Sequence, residues 1–181
     1  MDRLQDGKAA LPGSHGEMAR RGKRRLKIAT PSEFREKSRL FVYELSECFC
    51  RVLPAYSQHV QDDLAKLLIV HALGAANVQR LMATSQRNVY ESMDDRIPGE
   101  LQVPANALSI ADSTGLPRET VRRKLKELVA GGLVIEDARG GYRIKPGAIQ
   151  TDELQATYYA SFKAMMVIFE ACLDAKLVEL E

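Results

Sequence analysis

Apolar positions along the chain fall into three long helical patterns and one compact mixed segment. Thr30-Pro31-Ser32-Glu33 supplies capping hydroxyls, a proline for a first turn and an acid at the positive helix end. Phe34, Phe41, Leu45, Cys48 or Phe49, and Val52 then recur at three- and four-residue steps. That spacing predicts a helix with one buried face, ending before Pro54. Residues 57–83 predict a second helix, apolar on more than one side through Leu64, Leu67, Leu68, Ile69, Val70, Leu73, Val78 and Leu81. A helix of that kind is central and contacted from several directions. Residues 84–100 are polar and turn-prone, with Ser85, Asn88, Asp94, Asp95, Pro98 and Gly99. Thr151-Asp152-Glu153-Leu154 opens a last helix with a hydroxyl cap and first-turn acids. Leu154, Tyr158, Phe162, Met165 or Met166, Phe169, Leu173, Leu177 and Leu180 carry its stripe over about 30 residues, or ~45 Å at the α-helical rise. Packing on the first helix would cover part of this stripe. The excess length predicts a partner chain, and so a homodimer.

The mixed segment changes character. Asn106-Ala-Leu-Ser-Ile-Ala-Asp-Ser-Thr-Gly-Leu-Pro predicts a short helix carrying Leu108, Ile110 and Ala111. Ala111 is small enough for a second helix to approach closely. Gly115 permits the left-handed backbone of a sharp turn, Leu116 plugs its inside, and Pro117 starts the next helix without losing a needed N–H. Val121, Leu125, Leu128 and Val129 form that helix's core stripe, which leaves Arg118, Glu119, Arg122, Arg123 and Lys126 facing outward. Gly131-Gly132 stops it. Residues 133–137 and 141–145 then predict two strands around a Gly140-Gly141 hairpin, with Ile135, Tyr142 and Ile144 packed beneath the second helix. The fold class expected is mainly α: a winged helix-turn-helix module with a two-stranded β-wing, flanked by long N- and C-terminal helices. Four segments follow: a basic tail over 1–29, a helical scaffold over 30–100, the winged helix over 101–149, and a dimerising C-terminal helix over 150–181.

Charge supports this division. The 181-residue chain has a formal net charge of +2, but residues 1–30 hold eight Lys/Arg against three Asp/Glu. Residues 101–150 hold eight against five, whereas 31–100 hold eight against ten and 151–181 two against six. Two basic segments beside acidic helices are the footprint expected of a nucleic-acid binder. The cluster Arg20-Arg21-Gly22-Lys23-Arg24-Arg25-Leu26-Lys27 reads either as a phosphate-touching arm or as a plain flexible leader.

Residues 115–134, with Arg118-Glu119-Thr120-Val121 followed by Leu125-Lys126-Glu127-Leu128 and Gly132-Leu133-Val134, resemble the DNA-binding domain of the cyclic-AMP receptor protein family of bacterial transcription regulators. A looser likeness exists to GntR-type winged helices. The resemblance covers residues 101–146 and implies that Arg118, Glu119 and Arg123 read base edges. Pro117 stands where that family commonly has a capping Ser or Thr. The upstream half lacks the Gly-punctuated strands of a cyclic-nucleotide barrel, so the resemblance extends to DNA and not to that ligand. The chemistry agrees: an arginine fork matches guanine O6 and N7, and a glutamate accepts from cytosine N4. Thr120, Arg122 and Lys126 are placed for phosphate or secondary contacts, and Arg139 at the wing tip for phosphate or the minor groove.

Other chemistry is sparse. His59 and Asp63, four apart, are too few to hold a metal. Cys48 and Cys50 point to different faces, and Cys172 reads as a small core residue. No phosphate loop or nucleophile elbow occurs, so no catalytic residue, metal or cofactor is expected. Three cysteines make no disulfide framework, no apolar run approaches the ~20 residues of a membrane span, and Met1 to Lys27 carries no signal core. The expectation is a cytoplasmic, non-enzymatic regulator of transcription whose partner is double-stranded DNA. The alternative is a winged helix serving as a protein-interaction module in a larger assembly. A small-molecule effector, where there is one, is expected between the central and terminal helices beside Met165 and Met166.

Overall fold

The protein is described here by a computed structural model over residues 26–180. Its elements are β1 (Leu26–Ile28), α1 (Pro31–Ser57), α2 (Leu64–Met82), α3 (Ala107–Thr114), α4 (Arg118–Ala130), β2 (Val134–Glu136), β3 (Tyr142–Ile144), α5 (Asp152–Asp174) and β4 (Val178–Leu180). The chain is mainly helical, with two separate antiparallel two-stranded sheets, β1–β4 and β2–β3. No helix among the described residues is long and apolar enough to cross a membrane.

Helices α1 and α5 form an antiparallel arm. At one end Lys37 Nζ donates to the Ala175 carbonyl (2.9 Å), and at the other the rings of Tyr56 and Tyr158 meet at 5.7 Å. Thr30 starts α1 with a capping box, its hydroxyl accepting from the Glu33 N–H while the Glu33 carboxylate accepts from the Thr30 N–H. The helix runs through Pro54 instead of ending before it. Pro54 lies in the last turn, where its ring deletes a single hydrogen bond and the Gln58 N–H still closes on the Pro54 carbonyl. On the predicted apolar face Phe41, Leu45, Cys48 and Val52 are half-buried, while Phe34 and Phe49 are exposed.

The second helix also begins later than its pattern suggests. Residues 58–60 make a 3-10 turn, Gln61 and Asp62 adopt left-handed φ values of 60° and 55°, and α2 starts only after Asp63. Asp63 is therefore the cap of α2, its carboxylate accepting from the Lys66 N–H (3.0 Å), and not a helical partner of His59. His59 instead hydrogen-bonds Thr157 of α5 (3.1 Å).

Helix α5 ends at Asp174, short of the predicted end. Lys176 turns the chain at φ 55°, and β4 returns alongside β1 with Leu26 opposite Leu180 and Ile28 opposite Val178. Leu177 and Leu180 thus belong to a turn and a strand; a three-residue step cannot distinguish these from one more helical turn. The same pairing makes residues 26–28, expected within the tail, an ordered strand clamped by a Lys27–Glu179 ion pair (2.7 Å). The rest of the basic tail, up to residue 25, lies outside the described residues.

A second hydrophobic body is built on α2, which touches α1, α3, α4 and β3. Ile69 and Leu73 of α2 are fully buried against Ile110, Val121, Leu125, Leu128, Val134, Tyr142 and Ile144. This core runs across residue 100, where the pattern of the sequence places the start of the module. Asn77, 1% exposed, ties it together. Its Nδ2 donates to the carbonyls of Val103 (2.8 Å) and Tyr142 (3.2 Å), and its Oδ1 accepts from the Ile144 N–H (2.9 Å).

An ionic clamp fixes α2 to the inner shoulder of α4. Lys66 pairs with Glu127 (3.1 Å), and Lys124 bridges Glu127 (3.1 Å) and Asp63. Hydrogen bonds from Lys66 and Lys124 hold the Glu127 carboxyl below its usual range. Burial pushes the Asp63 carboxyl up, but bonds from Lys124 and the Lys66 N–H outweigh it and leave the net shift downward. A carboxyl depressed on folding stabilises the protein above its unfolded pKa of ~4 and loses that contribution as pH falls through the lower folded value. Urea midpoints of the wild type are therefore expected to drop between pH 5 and pH 3. An Asp63→Asn, Glu127→Gln variant, less stable at neutral pH, should show a visibly flatter profile over that window.

Candidate nucleic-acid interface

The turn between α3 and α4 is assembled from local chemistry. Asn106 caps α3 by accepting from the Ser109 N–H (2.9 Å). Gly115 takes the left-handed conformation (φ 70°), and its N–H closes on the Ala111 carbonyl (2.9 Å). Thr114 adds a hydroxyl bond to the Ile110 carbonyl (2.8 Å) and accepts from the Leu116 N–H (3.3 Å), so Leu116 packs inward. Pro117 sits at the cap position and α4 begins at Arg118, one residue later than expected. On α3 the buried residues are Ile110 and Ala111; Leu108 is half exposed and faces outward.

Helix α4 divides cleanly. Val121, Leu125 and Leu128 are buried, Val129 packs at the edge, and Arg118, Glu119, Arg122, Arg123 and Lys126 are exposed. Thr120 is half-buried at the boundary. At 3.6 residues per turn the outward side chains separate into shoulders about Glu119. Arg118 and Arg122 turn toward the hairpin, where they border a notch of about 370 Å3 with Asn106, Leu108, Glu136 and Tyr142. Arg123 turns the other way and is held by Glu127 (3.0 Å). Glu119 and Lys126 lie between, Glu119 only 4.0 Å from Arg122. Arg118 and Lys126 form no ion pair or hydrogen bond with another described residue, so their charges stand uncommitted.

The hairpin flanks this face. Strand β2 pairs with β3 in the register Val134–Ile144, Ile135–Arg143, Glu136–Tyr142. Because side chains alternate, Val134, Tyr142 and Ile144 share the buried face, and Ile135 points away with Arg143. Val134 thus occupies the inner place expected of Ile135. The tip is fixed by Asp137, whose carboxylate accepts from the N–H groups of Gly141 and Arg139 (both 2.9 Å) and is held below its usual range by those bonds. Gly140 is left-handed (φ 74°). At Gly141 a Cβ would lie 2.6 Å from Pro104 Cβ, so only glycine fits. Arg139 is exposed at the tip. Tyr142 donates to Glu136 (2.9 Å), and burial followed by that carboxylate pushes its phenol up.

No family model, curated protein or solved structure matches the chain.

The outward face is defined by its own residues. It brings Arg118, Glu119, Arg122, Arg123 and Lys126 onto one exposed surface, with Arg139 on the neighbouring hairpin and Thr120 at its border. The pattern of α4 alone did not reveal Lys66, Lys124 and Glu127, which set how α4 sits on α2. One sign was available: Lys124 falls on the inward half of α4 by its spacing from Val121 and Leu125, where a lysine needs a carboxylate partner. Among the described residues no group of three or more His, Cys, Asp or Glu could hold a metal ion. Cys48 and Cys172 are half-buried, Cys50 is exposed, and all three are free thiols.

Proposed function

We propose that this chain is a winged-helix transcription regulator that binds DNA sequence-specifically as a homodimer on an inverted repeat. The observation that carries the reading is α4 itself. One side is fully buried, while the other presents four cations and one carboxylate to solvent beside a glycine-shaped hairpin. A rigid helix of that kind, entered through a tight turn and flanked by an arginine-tipped loop, fits the DNA major groove. Arg118, Glu119 and Arg123 are assigned to base edges, Thr120, Arg122 and Lys126 to phosphates or secondary contacts, and Arg139 to the backbone or minor groove.

The exposed side of the arm supports the dimer. Val42, Tyr43 and Phe49 of α1 and Tyr159, Phe162 and Met165 of α5 are each more than half exposed, and a second copy packed on the arm would take them out of water. Two-fold pairing through these helices would set two α4 helices about one DNA turn, ~34 Å, apart. Because the side chains lie outside the core, a Phe162→Asp, Met165→Asp variant is expected to keep its fold by circular dichroism and to sediment as a monomer. A variant that stays dimeric would place the interface elsewhere.

Selection of bound duplexes from a random pool tests the function directly. The expected result is enrichment of an inverted repeat, with binding that weakens steeply as salt rises. Enrichment of nothing at low salt would overturn DNA reading and leave the same face to a protein partner.

A further inference from the structure

Beside α2, away from the α4 face, lies a cavity of about 950 Å3, within the size range of small-molecule sites. Its walls are mostly apolar, from Leu67, Val70 and Val78 of α2 to Ile149 and Leu154 before and within α5. One side is aromatic. Tyr56 meets His71 edge-on at 5.1 Å and Tyr158 at 5.7 Å. Met165 and Met166, expected to line an effector site, are exposed on α5 and form no part of it.

Two features give the cavity a chemical preference. Glu91, Asp95 and Glu153 line it, and among the described residues no lysine or arginine does. Its own backbone N–H and the Thr151 hydroxyl hold the Glu153 carboxyl below its usual range, whereas Glu91 and Asp95 are exposed at the rim and form no ion pair with a described residue. Burial pushes the His71 imidazole down, which favours its neutral form. Gln150 Oε1 is a buried acceptor on the same wall with no donor. The second feature is Gly74. Glycine in mid-helix is unfavourable, yet a Cβ here would meet nothing within 4 Å and would project into the cavity. The missing side chain is therefore space, not a close backbone approach.

We propose that this cavity binds a lipophilic organic cation, its apolar body between α2 and α5 against the Tyr56–Tyr158 wall and its charge toward Glu91 and Asp95. Aromatic side chains favour the body of such a cation and the carboxylates at the rim favour its charge, and both disfavour an anion of the same shape. The proposal rests on the cavity alone and is read without DNA, so it stands or falls separately from the function proposed above.

Tetraphenylphosphonium and tetraphenylborate, near-equal in shape and opposite in charge, are the probes. Calorimetry on the full chain is expected to show one tetraphenylphosphonium per chain, with tetraphenylborate at least roughly tenfold weaker. A Glu91→Gln, Asp95→Asn variant should bring the two ions together. Gly74→Leu should abolish phosphonium binding while keeping or raising Tm, because leucine is the better helix former and its side chain enters open space. Equal binding of the two ions by the wild type, binding retained in Gly74→Leu, or no binding of either ion would each overturn the proposal.

Discussion

Replacing Asn77 by alanine is expected to lower the free energy of unfolding by about 2–4 kcal/mol, a large part of the stability of a domain this size. The edge of the hairpin explains the magnitude. Ala105 pairs with Tyr142 of β3 through both backbone bonds, then the chain leaves. Two residues on, the Ile144 N–H points the same way and finds the Asn77 Oδ1 in place of a neighbouring strand. Tyr142 O keeps its Ala105 partner in the variant, and Val103 O is near enough to the surface to find water. The Ile144 N–H has no such alternative, and alanine adds a cavity to the orphaned donor. Leucine at 77 restores volume but not the acceptor. Equilibrium urea unfolding should therefore show Asn77→Leu nearly as unstable as Asn77→Ala. Near-wild-type stability of the leucine variant would mean that packing, not the hydrogen bond, is what Asn77 supplies.

The contrast between Asn77 and Gly115 shows which parts of the molecule are legible along the chain. At Gly115 every local rule agrees: a small Ala111 before it, a left-handed turn, a hydrophobic plug, and a helix start. The same holds for the outward face of α4, where the 3.6-residue period alone separates Val121, Leu125 and Leu128 from the cations. Asn77 looks like one more polar residue late in α2, because its three partners are 26 or more residues away. The same limit hid the Lys66–Glu127–Lys124–Asp63 clamp. Register is another non-local quantity: Ile135 and Val134 are equally apolar, and only the pairing of β2 with β3 decides which one is inside. Where a helix ends also proved non-local. Pro54 did not stop α1, since a proline in the last turn deletes one bond and the arm holds the remainder, while α5 stopped early because β1 was there to pair with β4.

The largest effect on function is expected from Arg118 and Arg122 together. Both border the notch between α4, the start of α3 and the hairpin, so a strand of duplex lying along that notch meets two guanidinium groups at once. On the duplex selected by the wild type, Arg118→Ala, Arg122→Ala should cost about 2–4 kcal/mol, or roughly 30- to 1,000-fold in affinity. Arg123 is predicted to matter less, near 1 kcal/mol, although it was expected to read a base edge. One end of its guanidinium is already held by Glu127, and that ion pair must open before a base can replace the carboxylate. Lys126, uncommitted and further along the helix, should act through phosphate alone. Its alanine variant is expected to weaken all duplexes alike and lower the slope of log affinity against log salt by about one. Anisotropy titrations of these variants against the selected and a scrambled duplex, at several salt concentrations, separate the cases. Arg118 is expected to supply the sequence-dependent part of the double variant's loss and Arg122 the phosphate part. If Arg118→Ala alone lost affinity for the scrambled duplex as fully as for the selected one, Arg118 would supply charge without sequence information. Base reading would then fall to Glu119 and Arg123, and the Arg123–Glu127 pair would have to be the element that opens on binding.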